Sequence, residues 1–160
     1  IISVEMFEHV RNYQAILQRL ASMMHTDSML LVHHFCHHTL IYPFEESNSW
    51  MAKHFFKDGI MPCQDLLAHF QNDLTLIDQE NINGQHYEKT SQQWLANLHK
   101  NKQAILELLG KHYSKPKLRF AYWDLFFRAC AQLFGYNAGN EWLVTLCLFK
   151  KQAVANDANQ

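Results

Sequence analysis

The stretch "MLLVHHFCHH", residues 29–38, sets the fold class. Residues 29–35 form a short, largely apolar run of the kind that fits a strand buried in a parallel sheet. Upstream, Phe7, Val10, Tyr13, Leu17, Leu20 and Met24 recur at helical spacing, which predicts an amphipathic helix over 8–24. Before it, "IISV" at residues 1–4 reads as the end of another buried strand. Strand, helix and strand in that order indicate an α/β architecture.

Downstream, "YPFEESNSW" is a loop with a proline, followed by a short helix over 50–56. "KDGIMP" interrupts the chain, and Pro62 suits the start of a helix over 63–71. A strand over 74–82 ends at the Asn83–Gly84 turn. A long helix over 88–109 follows, with Gly110 as its stop, then a second over 118–134 ended by Gly135. Residues 141–149 are apolar on both faces, as an inner or closing strand requires. Residues 153–160 read as a frayed tail, leaving 1–152 as the folded part. Four strands are few for helices this large, and an apolar opening with no initiator Met reads as the interior of a longer protein.

Composition excludes several classes of function. With 14 Lys and Arg against 15 Asp and Glu, no basic stripe favours nucleic acid. No run of 18 apolar residues is long enough for a membrane span. The cysteines Cys36, Cys63, Cys130 and Cys147 form no CxxC pair, so they read as reduced thiols of a cytoplasmic protein.

Two clusters carry chemistry. In "HHFCHH" a zinc site needs three or four ligands converging on one point, whereas side chains two apart on a strand diverge; no metal site is expected. His37 and His38 read as surface passengers. His33 stands at the end of the apolar strand, where open α/β sheets bind ligands. In "VEMFEH", residues 3 and 4 apart place Glu5, Glu8 and His9 on one face of a helical backbone. Two carboxylates and an imidazole can bind a cation or take a proton; the two glutamates can equally serve only to complement a helix N-terminus. The aromatic residues Trp50, Phe55 and Phe56, with Tyr122, Trp123 and Phe127, either fill the core or line a pocket for an apolar or cationic substrate. Tyr87 follows the Asn83–Gly84 turn, from which its hydroxyl can reach a site at the strand ends.

The blocks "SVEMFEHVRNY", "LLVHHFCHH", "SWMAKHFF", "NGQHYEKTSQQWLANL" and "ACAQLFGYNAGNEWLVTLCLF" run in this order. Together they resemble the C-terminal part of the S-adenosylmethionine-dependent methyltransferases related to cyclopropane fatty acid synthase, in the branch containing coclaurine N-methyltransferase. The resemblance covers about residues 1–150 and implies the C-terminal portion of a Rossmann-like class I methyltransferase fold, with helical lid insertions and a closing antiparallel strand pair. Residues 50–56 would belong to the lid.

The resemblance also implies roles. In the N-methylating branch the two glutamates and the histidine handle the substrate amine, and they match Glu5, Glu8 and His9. In the cyclopropane synthases a bicarbonate ion acts as base, held by residues matching Glu8, His33 and Tyr87. Those enzymes usually read "VGMFEH", so Glu5 points to the amine branch. The expected partners are a small-molecule amine or, in the alternative, an unsaturated lipid, with S-adenosylmethionine as methyl donor. The acidic-GxGxG stretch that holds this donor is not in the chain, so the resemblance implies a cofactor half in the same or a partner chain. A truncated, non-catalytic paralogue or gene fragment is the remaining alternative.

Overall fold

The computed structural model describes residues 1–45, 47 and 49–151; the expected tail, 153–160, lies outside them. Two compact units emerge, one from Ile1–Ile82 with the described residues from Val144 onward, the other Asn83–Leu143.

The first unit is built on a mixed sheet. Strand β1 (Ile2–Val4) lies parallel to β2 (Met29–His37), in the register Ile2–Leu31, Ser3–Val32, Val4–His33. Strand β5 (Leu74–Ile82) runs antiparallel to β6 (Trp142–Lys151), and the sheet order is β1-β2-β6-β5. The expected closing antiparallel pair and the inner position of the last strand are therefore present. Strand β1 departs from expectation. It is the edge of this sheet, and Ile2 and Val4 are 73% and 59% exposed instead of buried.

Helix α1 (Tyr13–Ser22) begins later than the periodicity predicts. Asn12 stops the helix from running back: its Oδ1 accepts from Ala15 N at 3.0 Å, a side-chain cap for an otherwise unpaired amide. Tyr13, Leu17 and Ala21, four apart, bury one stripe against Leu30, Val32, Leu74, Cys147 and Phe149. Upstream of Asn12, "FEH" forms a separate 3₁₀ turn, Phe7–His9, and Val10 is extended.

The smaller strands β3 (Tyr42–Pro43) and β4 (Ile60–Met61) pair antiparallel around the short helix α2 (Trp50–His54). No α-helix follows Pro62. The backbone there is claimed by β2: His37 N donates to Pro62 O at 2.8 Å and Gln64 N to His37 O at 3.0 Å. Only the 3₁₀ turn Leu66–His69 remains of the expected helix.

The second unit is helical: α3 (Gln85–Lys100), α4 (Lys102–His112) and α5 (Pro116–Gly135). The periodicity predicts one helix over 88–109, but Asn101 divides it. Its backbone leaves helical torsions (φ −102°, ψ 19°), and its Nδ2 shares Asn97 O with its own N–H, at 2.9 and 3.0 Å. Gly110 is not the stop; it lies inside α4, which runs on until Ser114 and Pro116 prevent it. Leu98, Leu109 and Phe120 form the buried core of this unit, with Trp123 and Phe127 packed against it. Among the described residues no helix is long and apolar enough to cross a membrane.

Two glycines of this unit test the account in opposite directions. A Cβ at Gly84 would lie 2.1 Å from Trp142 O and 2.5 Å from Phe134 O, whereas one at Gly110 meets nothing within 4 Å. Gly84→Ala is expected to destabilise by about 2–4 kcal/mol. Gly110→Ala is expected to stabilise by roughly 0.5–1 kcal/mol, because it lowers unfolded-chain entropy at an exposed helix position. Urea unfolding of both variants gives the two signs.

Candidate active site

The site is assembled where β1 ends. Glu5 N donates to His33 O at 3.0 Å, the last rung between the two strands. There the chain turns sharply, with Glu5 at φ 52°, and the 3₁₀ turn brings Glu8 back over β2.

Glu8 is completely buried, and its Oε1 accepts from Phe35 N at 2.8 Å. Its Oε2 is buried without a hydrogen-bond partner. Burial, and then the negative charge of Glu5, push the Glu8 carboxyl up to about 8, against the lowering effect of hydrogen bonds from its own and Phe35's backbone. At neutral pH Glu8 therefore holds a proton.

Glu5 and His33 face each other. Glu5 Oε1 lies 3.1 Å from His33 Nδ1, and the two side chains are 32% and 29% exposed. The contact has ion-pair distance but sits off the hydrogen-bond axis. His33 does not end its strand, as the sequence suggested; β2 continues to His37, and His33 is level with the end of β1.

His9 is exposed and stacks on Phe56 at 5.6 Å between ring centroids. The expected common face of Glu5, Glu8 and His9 is thus not formed. It required helical backbone at all three, and a left-handed residue followed by a 3₁₀ turn sends Glu8 inward and His9 outward.

The other histidines also sort by environment. His37 is no surface passenger: it is 3% exposed, and its Nδ1 accepts from Thr39 N and Leu40 N at 3.0 and 2.9 Å, closing the turn after β2. His38 remains on the surface. His34 is 1% exposed; its Nδ1 donates to Phe35 O at 2.9 Å, and Nε2 is buried without a partner. Burial pushes His34 down to about 4. Among the described residues no three His, Cys, Asp or Glu side chains are grouped to hold a metal.

The aromatic set divides. Trp50 packs on Phe55 and His54, and only Trp50 lies within α2; Phe55 caps it and Phe56 is beyond its end. Phe56 contacts Phe35 and Phe44 at 5.6 and 5.2 Å between ring centroids, and these two partners went unnoticed in the sequence because nothing periodic links them. In the second unit Trp123 and Phe127 line a groove of about 540 Å³ with Trp94, Leu98, Ile105 and Phe126. Tyr122 lines a separate hollow with Tyr113 and Arg119, since adjacent residues on a helix point about 100° apart. Tyr87 belongs to the second unit, with its ring against Trp94 and Phe134.

This arrangement can be compared with known proteins. The family model described as mycolic acid cyclopropane synthetase matches residues 1–142. The chain belongs to that family. Within it, the chain is 33% identical over 159 residues to (S)-coclaurine N-methyltransferase of Papaver somniferum and 30% identical to pavine N-methyltransferase of Thalictrum flavum subsp. glaucum. Each match takes in 95% of this chain and 45% of the relative, so the chain spans about half the length of the curated relatives it matches. A crystal structure of coclaurine N-methyltransferase bound to N-methylheliamine and SAH superposes with a TM-score of 0.86 at 28% identity, covering 94% of this chain and 47% of that one. A mycolic acid cyclopropane synthase complexed with SAH and CTAB has the same fold, with a TM-score of 0.74 at 20% identity, over 94% of this chain and 54% of that one. This family member thus has the α/β fold of the C-terminal part of a class I methyltransferase.

The two buried groups give opposite pH dependences. From Glu8's usual 4.5 up to about 8, the folded chain keeps a proton that the unfolded chain releases, so stability falls as pH rises. From His34's usual 6.5 down to about 4, the unfolded chain takes up a proton that the folded chain refuses, so stability falls as pH drops. Each contributes on the order of 1.4 kcal/mol per pH unit inside its window. Relative to the parent, Glu8→Gln is expected to gain stability steadily from about pH 4.5 to 8, and His34→Leu to gain it as pH falls from about 6.5 to 4. Thermal unfolding across pH 4–9 in steps of about half a unit reads both slopes.

Proposed function

We propose that this chain is the acceptor-side part of an S-adenosylmethionine-dependent methyltransferase that places a methyl group on an amine nitrogen of a small molecule. On this reading residues 1–152 are the C-terminal part of one methyltransferase domain. The observation that carries it is the partly exposed Glu5–His33 pair at the end of β1. An ionised carboxylate there favours a cationic substrate such as an ammonium. The aromatic rings of Trp50, Phe55 and Phe56, in the same unit as that pair, suit the apolar body of such an amine. The names of the relatives, coclaurine and pavine N-methyltransferases, support the same class.

The chain does not itself fit the methyl donor. Its five glycines stand singly, at residues 59, 84, 110, 135 and 139, and none forms a glycine-rich loop that would let backbone approach a nucleoside. The donor would be held by a further half, in the same or a partner chain. The uncovered Ile2, Val4 and Met29 side chains on β1 and β2 suit such a cover.

The lipid alternative needs bicarbonate at Glu8, His33 and Tyr87. An added anion beside His33 Nδ1 would meet the Glu5 carboxylate 3.1 Å away, and Glu8 Oε1 is already taken by Phe35 N. The Glu5 carboxylate beside His33 thus disfavours an added anion there.

The test is a product assay with the intact protein that carries this chain, supplied with S-adenosylmethionine and either heliamine or vesicles of an unsaturated phospholipid. The N-methylated amine is expected by mass spectrometry. A cyclopropanated or methylated acyl chain, with the amine untouched, would overturn the reading.

A further inference from the structure

We propose that Asn83 is a site of spontaneous covalent modification that the fold holds shut: its side-chain amide is converted to a carboxylate when the second unit opens, and the modified unit no longer closes as before. The proposal stands on the Asn83–Gly84 turn and is independent of the methyl-transfer reading.

Residues 83–84 are the only Asn–Gly pair in the 160 residues. In an open chain such a pair is reactive, because glycine has no side chain to keep its backbone nitrogen away from the asparagine amide. In the step itself, the Gly84 nitrogen bonds to Asn83 Cγ and the Cγ–Nδ2 bond breaks. The Gly84 N–H proton leaves with Nδ2 as ammonia, and a five-membered succinimide remains. Water then opens this ring at either carbonyl, giving aspartate or isoaspartate at position 83. Nothing is oxidised or reduced. The glycine that makes the pair reactive is required by packing: Gly84 is buried, and a Cβ there would lie 2.1 Å from Trp142 O and 2.5 Å from Phe134 O.

Folding blocks the step at both reacting groups. Gly84 N donates to Gly139 O at 2.9 Å, so the attacking nitrogen is engaged. Asn83 Nδ2 donates to Ala138 O at 3.0 Å and to Asn140 Oδ1 at 3.2 Å, and Asn83 Oδ1 accepts from Gln85 N at 2.9 Å. The amide under attack is thus fixed by three bonds. Its acceptors are delivered by a strained turn: Asn137, Ala138 and Gly139 are consecutive left-handed residues at φ 50°, 54° and 77°, and Ala138 holds this conformation without glycine's freedom. The same bonds keep the product from closing the turn again. A carboxylate at position 83 still accepts from Gln85 N. It has no hydrogen for Ala138 O or Asn140 Oδ1, and it sets a negative charge against both oxygens. Turning the Asn140 amide around would break its own bond from Nδ2 to Asn137 O at 3.0 Å. Isoaspartate lengthens the main chain by one carbon and moves Gly84 against carbonyls that leave no room for a Cβ.

The experiment incubates the intact protein that carries this chain, folded and in urea, side by side at mildly alkaline pH. Peptide mapping by mass spectrometry follows the gain of about 1 Da at position 83, and cleavage by hydroxylamine between residues 83 and 84 reports the succinimide. The unfolded chain is expected to be modified at least about tenfold faster, since the folded chain reacts only through opening. Equal rates in the two states, or an unfolded chain that stays unmodified, overturn the proposal. Asn140→Ala, which removes one of the two acceptors, should speed the folded reaction about threefold to tenfold and leave the rate in urea unchanged; a folded rate as slow as the parent's overturns the blocking role of these bonds. Asn83→Asp supplies the product directly. Its unfolding midpoint should fall below the parent's at neutral pH, and the difference should narrow as pH drops through about 4, where the carboxyl regains a hydrogen to donate. An absent difference, or one unchanged over that range, overturns the failure of the product to close. If this variant does not fold at any pH, the chains modified in urea decide that point: failure to refold when urea is removed is expected, and full refolding overturns it.

Discussion

The hydrogen bond from Phe35 N to Glu8 Oε1 is the constraint on which the rest of the site depends. It carries a loop carboxyl into the interior and ties the 3₁₀ turn to the middle of β2. A chain that ends β1 at Val4 and must bury Glu8 four residues later has little length to spare. The turn is made by driving Glu5 into the left-handed region, and that places the Glu5 side chain against His33. One buried contact thus determines which carboxylate is accessible and which is not.

The same contact separates the two acids electrically. Burial, and next the charge of Glu5, disfavour ionisation of Glu8. Burial assigns a proton to Glu8. His34, one residue from His33, is neutral for the reason that Glu8 is: its surroundings do not solvate an ion. Adjacent residues of β2 therefore play unlike parts, His34 packed into the interior and His33 open at its outer edge. The two buried groups have opposing pH dependences that overlap, so the parent chain hides most of the burial of each below about pH 6.5.

In the second unit the aromatic side chains serve as packing and lining together. Trp123 and Phe127 support the core of Leu98, Leu109 and Phe120 and also border an open groove. Such dual use is common for rings, whose broad faces fill volume on one side while leaving contact area on the other. The match to the mycolic acid cyclopropane synthetase family runs over residues 1–142 and so takes in residues of both units.

The order of elements was legible in the sequence because it rests on local chemistry. Strand β5 is found at 74–82 as expected, and α5 and β6 depart from expectation by only a residue or two at each end. Periodicity and turn residues act over a few positions, and no distant contact overrides them there. The ordered blocks also identified the family, since side-chain identities around a site survive in sequence. Where a side chain competes for the backbone, the pattern misled: Asn101 divides a helix, and Asn12 delays one. Only the tertiary structure decided where Glu5, Glu8 and His9 are placed. Their spacing suggests a shared helical face, but the face depends on backbone torsions that a buried bond from Phe35, 27 residues away, imposes. Burial then sets their charges, and burial is a property of what the whole chain packs around a residue, which no spacing along the chain contains.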